Sequence, residues 1–388
     1  MRANEDLLTG PDAGDLVAAV LAQAGGRPLE WSVGQVDHQP GGRTTVSYDV
    51  RVVWTDGSVT DEALGAASGR LPDGVTRLTD GDTEVGMWRF PFDPDLPGLP
   101  AACDPARMSR LVAGLGLGGP ATLRVRTYRP RRRAVVEVAT PGGTVFVKVL
   151  RPEKVRALYE LHRVAADAGC PTPAPLGWTE DGLLVLAGLA GRTLRDRLLA
   201  GERVDLDPDD VVAVLDGLPA ELAAGERRVT WGQKAGHYAE VLATSVPALG
   251  ARARAVAAAV DHDTPEGPDV PVHGDFYEAQ LMVTGGRVSG VLDIDTAGRG
   301  ERLDDAGCLL AHLAVLALMY PDHAGELNRL RLSLHRRFVR DLDPAALARR
   351  TAAVVLSLAT GPHRVQEPGW QQATTDRVEL AERWLHRG

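Results

Sequence analysis

The residues best suited to chemistry lie in one short stretch, Val272–Gln280, and in the Asp293 that follows it. Asp275 stands directly behind a glycine, and the amide of Gln280 follows five residues later. Phosphoryl transfer needs one carboxylate to accept the proton of the attacking hydroxyl, and two oxygen ligands to hold Mg²⁺ on a nucleotide. The stretch therefore predicts Asp275 as the catalytic base and Gln280 and Asp293 as metal ligands.

A predicted β-hairpin brings the two metal ligands together. Gly285–Gly286 is a two-residue turn signal between two apolar segments. With this turn, Gln280 pairs with Val291, and Asp293 follows shortly after that partner. The amide and the carboxylate are thus expected to share one metal ion.

The next candidate site residue is a lysine on an apolar strand. Lys148 lies within Val145–Leu150, where burial of an ammonium group is costly unless an anion is near. Glu160, in the next predicted helix, is the expected partner that holds Lys148 toward nucleotide phosphates. Alone, the two residues also fit a solvent-facing edge lysine and a surface glutamate. The motif around Asp275 favours the functional interpretation.

Four further features have two interpretations each. His273 is interpreted as a structural residue of the turn rather than a proton carrier. Asp305 either orients the catalytic turn by hydrogen bonds or simply stands in the first turn of a helix. The cluster Arg129–Arg133 on a hairpin tip is either solvated or, through a residue such as Arg131, binds nucleotide phosphates. Asp295, Glu301, Asp304 and the segment 361–367 are candidate walls for an acceptor, or ordinary surface.

The bulk composition bounds the function. A chain of 388 residues suggests two or three domains, and its net charge of −9 argues against nucleic acid as the main partner. Three cysteines without metal or redox spacing fit small buried residues in a reducing cytoplasm. The start of the chain does not resemble a signal peptide, and the apolar run Cys308–Tyr320, which contains His312, is too short to span a bilayer. A cytoplasmic protein without membrane partners is expected.

The periodicity predicts three regions. Residues 1–100 read as an α+β cap domain, with an amphipathic helix over 11–25 followed by strands over 31–36, 44–54, 58–64 and 84–90, and a Gln39–Gly42 turn. Residues 91–105, rich in Pro, Asp and Gly, read as a linker. Residues 101–190 read as that linker, a short helix and a β-rich lobe with strands over 121–128, 134–139, 144–150 and 177–186 and a helix over 153–168. Residues 191–388 read as a helical lobe that the hairpin interrupts.

Taken together, these motifs resemble the aminoglycoside phosphotransferase-like branch of the protein-kinase-like fold. The matching residues are Val147–Val149, Glu160, Pro171–Pro173, Gly191–Leu194, His273–Gln280, Asp293 and Asp304–Asp305. The resemblance implies an α+β, bilobal fold with a β-rich N-lobe, a helical C-lobe and the N-terminal cap. It also implies ATP or GTP bound with Mg²⁺ between two lobes, with a hinge near Leu186–Leu189, so that Leu186 and Leu189 would contact the nucleotide.

Within this branch, Gln280 replaces the Asn found in most members, as in maltokinases and related bacterial glucosamine kinases. The expected activity is phosphorylation of a hydroxyl on a small molecule, a sugar or amino sugar, by a monomer or homodimer. An aminoglycoside-type antibiotic is the alternative acceptor.

Two alternative functions belong to other classes of protein. Asp293-Ile294-Asp295-Thr296 resembles the strand end of haloacid-dehalogenase-type phosphatases, in which the first Asp is a nucleophile. Fewer than a hundred residues follow Thr296, and they contain no lysine and read as helices, which argues against that fold. A binding-only pseudokinase is the other rival, and the presence of Lys148, Asp275 and Asp293 argues against it.

Overall fold

The computed structural model describes residues 4–39, 43–80, 83–260 and 267–386. It divides into two compact units. The first contains residues 1–159, 176–188 and 363–368, and the second contains residues 160–175, 189–362 and 369–388. The chain passes from the first unit to the second at three places, Tyr159–Glu160, Gly188–Leu189 and Pro368–Gly369, and the second of these lies within the segment predicted as a hinge.

The first unit begins with two helices and a five-stranded antiparallel sheet of order β1-β2-β3-β5-β4. The elements are α1 (Asn4–Thr9), α2 (Ala13–Gln23), β1 (Gly26–Gln39), β2 (Arg43–Trp54), β3 (Val59–Ser68), β4 (Thr76–Asp80) and β5 (Thr83–Arg89). Buried apolar residues of α2 and alternate residues of β2 belong to one core, which includes Leu21, Tyr48 and Val50. This fits the predicted α+β module, except that β4 was not foreseen and the predicted turn at Pro40–Gly42 lies outside the described residues.

A second core of the same unit surrounds another five-stranded antiparallel sheet, of order β6-β7-β8-β10-β9. Its elements are α3 (Leu99–Ala102), α4 (Pro105–Gly114), β6 (Thr122–Arg129), β7 (Arg133–Thr140), β8 (Gly143–Val149), α5 (Pro152–Asp167), β9 (Pro175–Trp178) and β10 (Leu183–Ala187). Residues of α5 from Glu160 onward belong to the second unit.

The segment predicted as a linker is instead structured. Leu96 and Leu99 are fully buried in the core of this second sheet, and α3 lies within the segment. Proline and glycine content predicted a connection, but the apolar residues between them decide the packing. The extents of the three predicted domains stay a prediction.

The second unit is mostly helical. Its elements are β11 (Arg192–Thr193), α6 (Leu194–Leu199), α7 (Pro208–Asp216), α8 (Trp231–Ser245), α9 (Gly250–Val260), β12 (Asp269–Val272), β13 (Leu281–Thr284), β14 (Arg287–Val291), β15 (Gly298–Glu301), α10 (Arg302–Met319), α11 (Ala324–Phe338), α12 (Pro344–Leu358), α13 (Gly361–Arg364) and α14 (Trp370–Leu385). The last residues of α13, from His363, belong to the first unit.

The core of the second unit forms around α10 and α12, which are buried along most of their length. Two small sheets lie beside it, β11-β13-β14 and β12-β15. The catalytic stretch predicted from the sequence connects β12 to β13, and therefore joins one small sheet to the other. None of the helices within the described ranges has the length and apolarity to cross a membrane.

Candidate active site

The site is built on the turn His273-Gly274-Asp275, which follows β12 directly. Gly274 has φ +82°, and a Cβ there would lie 2.5 Å from the carbonyl oxygen of Thr296 and 2.8 Å from the guanidinium of Arg228. Only glycine combines this left-handed backbone with such a close approach. The glycine thus fixes the direction in which Asp275 leaves the strand.

Asp305, one of the first residues of α10, holds the backbone of His273 and Gly274 in place. Its two carboxylate oxygens accept hydrogen bonds from the backbone N–H groups of His273 (2.9 Å) and Gly274 (2.8 Å). The side chain is fully buried. Buried charge-assisted bonds of this kind are the stronger ones in proteins. This geometry agrees with the interpretation that Asp305 orients the turn by hydrogen bonds.

His273 ties the turn to the hairpin. One ring nitrogen, Nε2, lies 2.8 Å from the carbonyl oxygen of Leu292, and Nδ1 accepts from the backbone N–H of Asp275 at 3.3 Å. The Thr296 hydroxyl also donates to the His273 carbonyl at 3.0 Å. With both nitrogens engaged by the backbone, His273 is a structural residue, as predicted.

The hairpin forms at the predicted turn, but its register differs from the predicted one. Leu281, not Gln280, pairs with Val291, because a bulge at Ser289 inserts one extra residue in β14. The carbonyl of Gln280 accepts instead from the backbone N–H of Leu292 at 2.8 Å. Gln280 therefore faces the residue next to Asp293.

Gln280 and Asp293 meet as a consequence. The amide nitrogen Nε2 of Gln280 lies 3.5 Å from Oδ2 of Asp293. Asp293 has φ +55° and ψ +49°, a left-handed conformation that Asp tolerates better than most residues and that often marks functional sites. Rotating the Gln280 amide by half a turn would exchange its nitrogen and oxygen, so the two side chains can offer oxygen ligands to one cation.

Asp275 faces α10, where Cys308 and His312 stand one turn apart. The thiol of Cys308 lies 3.9 Å from Oδ1 of Asp275, and one potential ligand atom from each of the three residues lies within 4.8 Å of the other two. Burial, and after it the carboxylate of Asp275, raises the pKa of the Cys308 thiol well above its usual range. Burial lowers the pKa of His312 to about 3, so its imidazole is neutral at physiological pH.

Tyr277 covers this cluster. Its ring stacks on His312 with centroids 4.1 Å apart, and the guanidinium of Arg195 lies 5.4 Å from the Tyr277 centroid. Arg195 also pairs with Glu278 at 2.6 Å, and Glu278 is fully buried. Burial raises the pKa of Glu278 despite this partner. Arg195 therefore links α6 to the segment that carries Gln280.

The acidic residues predicted as acceptor walls interact with basic side chains of the protein itself. Asp295 lies 3.1 Å from His162. Glu301 pairs with Arg227 and with Arg350, the latter at 2.7 Å. Asp304 lies 3.4 Å from Arg350 and accepts from the backbone N–H of Trp231 at 3.2 Å. Because Glu301 and Asp304 are buried, they are not walls for an acceptor.

Two cations stand near Asp275 instead. Arg228 contacts the catalytic turn and donates to the Thr296 carbonyl. Lys234, on α8, lies 4.8 Å above the ring of Trp231, and its charge interacts with those of Asp275 and Arg228. Burial, reinforced by Arg228, lowers the pKa of Lys234. Within the described ranges neither cation forms an ion pair with a carboxylate.

Residues 129–331, just over half of the chain, match the family described as the phosphotransferase enzyme family. The chain belongs to this family. Solved structures of other proteins resemble this phosphotransferase in fold. A thermostable mutant of aminoglycoside phosphotransferase APH(4)-Ia, in a ternary complex with AMP-PNP and hygromycin B, is 16% identical with a TM-score of 0.50, covering 72% of this chain and 98% of that one.

Two further structures are similar to the phosphotransferase. A putative aminoglycoside phosphotransferase from Ralstonia eutropha is 16% identical, with a TM-score of 0.46 and coverage of 73% of this chain and 98% of that one. Macrolide 2'-phosphotransferase MphH from Brachybacterium faecium is 22% identical, with a TM-score of 0.42 and coverage of 70% and 97%. No curated protein sequence matches the chain closely enough to count as a relative. The family match and the structure with a TM-score of 0.50 give the fold as that of the protein-kinase-like phosphotransferases.

Three of the remaining predicted site residues of the phosphotransferase, Lys148, Glu160 and Leu186, lie on helices or strands. Lys148 is buried on β8 and pairs in register with Leu184. Leu186 is buried on β10, and Leu189 is the first residue of the second unit after it. Glu160 is half-exposed on α5 and pairs with Arg163 at 2.9 Å. Their nucleotide roles stay predictions.

Arg131 occupies the tip of the β6–β7 hairpin with φ +62°. Its backbone N–H donates to Asp93 at 2.7 Å, and its guanidinium pairs with Asp95 at 2.8 Å. Arg151 pairs with the same Asp95 and also donates to the Arg131 carbonyl at 2.9 Å. The hairpin tip is thus held by ion pairs that the sequence did not indicate, and the phosphate role of Arg131 stays a prediction.

Sequence reasoning missed Cys308, His312 and Lys234 as parts of the site. The apolar run on α10 was predicted to be buried, and it is. Cys308 and His312 are four residues apart, which places them on one helix face. That spacing is the signal in the sequence, and the spacing of the three cysteines alone does not reveal it.

Proposed function

We propose that this phosphotransferase transfers a phosphoryl group from ATP to a hydroxyl of a small molecule, a sugar or amino sugar. The observation that carries the proposal is the placement of Asp275. Gly274 and Asp305 hold it on a buried turn, and the same loop leads to Gln280 beside Asp293. Asp275 accepts the proton of the acceptor hydroxyl as the oxygen attacks.

Gln280 and Asp293 are the residues that would hold Mg²⁺. Amide and carboxylate oxygens are the ligands this cation prefers, and the ends of the two side chains already lie 3.5 Å apart. The bound ion neutralises phosphate charge. Lys148, with Glu160 as its predicted partner, is assigned to the nucleotide phosphates. Arg131, Leu186 and Leu189 keep their predicted nucleotide contacts.

The charges around Asp275 favour an acceptor that is not polycationic. Arg228 and Lys234 flank the base, while Glu278 and Asp304 are buried in pairs with arginines. A polycationic aminoglycoside would meet the like charges of Arg228 and Lys234 there. A sugar hydroxyl carries no such penalty, so the sugar is the first candidate and the aminoglycoside the second.

The test replaces Asp275 by Asn, which keeps the shape of the side chain but removes its basicity. ADP release is measured with ATP, Mg²⁺ and a panel of neutral sugars, amino sugars and aminoglycosides, and ATP affinity is measured by calorimetry. Loss of the base should lower kcat by about 100- to 10,000-fold, with ATP affinity retained.

Asp322→Asn, an exposed carboxylate exchange in the same unit, is the matched control and should leave kcat unchanged. Full turnover in Asp275→Asn would reject the assigned base. ATP binding without ADP release for every acceptor would support the binding-only alternative. Release with aminoglycosides alone would reverse the order of the two acceptor classes.

A further inference from the structure

Asp275, Cys308 and His312 form a group whose chemistry differs from that of the Gln280–Asp293 pair. Carboxylate, thiol and imidazole are the side chains that bind zinc and similar transition metals, whereas Mg²⁺ prefers oxygen. Their candidate ligand atoms all lie within 4.8 Å of one another. We infer that these three residues are a binding site for a zinc-like divalent cation, separate from the magnesium ligands, and that its occupation inhibits the enzyme.

To bind a tetrahedral ion, each pair of ligand atoms must close by at most about 1.3 Å. Around Zn²⁺ the ligand atoms lie roughly 3.5 Å apart, given bond lengths near 2.0–2.3 Å. The thiol of Cys308 and Oδ1 of Asp275 are 3.9 Å apart, so this pair must close by only a few tenths of an ångström. Cys308 and His312 stand on one face of a buried helix, which keeps two of the three ligands fixed. Water would fill the fourth position.

The surroundings favour a cation at the thiol. Asp305, Glu278 and Asp304 add negative charge around Cys308, besides Asp275. Glu278 is fully buried, and its Oε2 has no hydrogen-bond partner in the part of the chain that the structure describes. His312 offers a neutral imidazole and need not lose a proton. On binding, the thiol of Cys308 forms the metal–sulfur bond and releases its single proton to the buffer.

Inhibition follows from the shared residue, and this part rests on the proposed function. An oxygen of Asp275 that ligates the metal no longer accepts the proton of an acceptor hydroxyl. Tyr277, stacked on His312 at 4.1 Å, would hold the ring in its ligating position. Excess Mg²⁺ would not displace the ion, since thiolate and imidazole are poor magnesium ligands.

The experiment uses Co²⁺ as a spectroscopic substitute for Zn²⁺ on the full chain, freed of metal by chelation. The double variant Cys103→Ser/Cys170→Ser leaves Cys308 as the only thiol of the sequence. We expect one Co²⁺ per chain, a thiolate-to-cobalt absorption band, displacement by one equivalent of Zn²⁺, and no displacement by millimolar Mg²⁺. Adding Cys308→Ser should abolish the band, and His312→Gln should weaken binding by more than about 100-fold.

Zn²⁺ inhibition is then compared as the ratio of ADP release with and without Zn²⁺ in each variant. The ratio should return toward one in Cys308→Ser and in His312→Gln. A cobalt spectrum without the thiolate band, or a band that survives Cys308→Ser, overturns the site. The band requires no turnover, so a chain that binds Co²⁺ as expected but transfers no phosphoryl group would contradict the proposed function and leave the metal site standing. A Zn²⁺ effect of equal size in all variants would reject the inhibitory role.

Discussion

Replacing Gly274 by alanine tests whether the turn geometry places the base. An added Cβ would meet the Thr296 carbonyl oxygen at 2.5 Å, and that oxygen is backbone and cannot swing away. Gly285, at the tip of the hairpin, also has positive φ (+58°), but a Cβ there would meet nothing within 4 Å. The two glycines therefore share the backbone penalty and differ only in the steric one.

The expected magnitudes follow from these distances. Alanine in the left-handed region costs about 1–2 kcal/mol at either position. At Gly274 the turn must also move by about 0.9 Å to reach ordinary van der Waals contact with Thr296. A misplacement of about 1 Å in a catalytic group costs about 100-fold in rate. Gly274→Ala should thus lose about 100-fold in kcat, and Gly285→Ala less than about threefold.

The assay is ADP release at saturating ATP with the best acceptor of the panel, together with urea unfolding of both variants. Unfolding separates a loss of rate from a loss of folded protein. If Gly274→Ala keeps the rate of Gly285→Ala while both remain folded, the turn does not position the base and the reasoning fails.

Two further predictions concern the carboxylates beneath the turn. Asp305→Asn exchanges one of two accepting oxygens for an N–H donor that faces a backbone N–H, so it should lower the unfolding free energy by about 1–3 kcal/mol. It should also lower kcat at unchanged ATP affinity. An unaltered kcat would contradict the orienting role. Burial raises the pKa of Asp304 to about 6, so the folded state holds a proton that the unfolded state releases, and stability falls as pH rises through that window. The unfolding free energy of Asp304→Asn minus that of the wild type should therefore rise by about 2–3 kcal/mol from about pH 4 to pH 7, measured by urea unfolding. The same difference for Asp322→Asn should not change with pH.

The hairpin shows what sequence patterns can and cannot fix. Paired glycines at 285 and 286 were sufficient to predict the turn and both strands, because two-residue turns are encoded locally. The bulge at Ser289 has only a weak local signal, the isolated Gly290 within the strand, and it moves the partner of Gln280 from Val291 to Leu292. The convergence of Gln280 with Asp293 was predicted, but the contact that produces it was not.

The charged residues were harder to predict because their partners are distant in sequence. Glu301 and Asp304 looked like exposed acids beside a motif, yet both are buried against Arg350. Helix periodicity places a residue on a face but does not say which element packs against that face. The same limit explains Lys234, which is brought near Asp275 by the packing of α8.

The supports of the turn that carries Asp275 act on its backbone. Asp305 and His273 hold the backbone through bonds to N–H and C=O groups, and Gly274 fixes its direction. None of these contacts depends on what the acceptor is. Lys234 lies on α8, apart from the elements that hold the turn, and its charge interacts with that of Asp275. Under the proposed function the turn places the base, and the charges around Asp275 bear on the choice of acceptor.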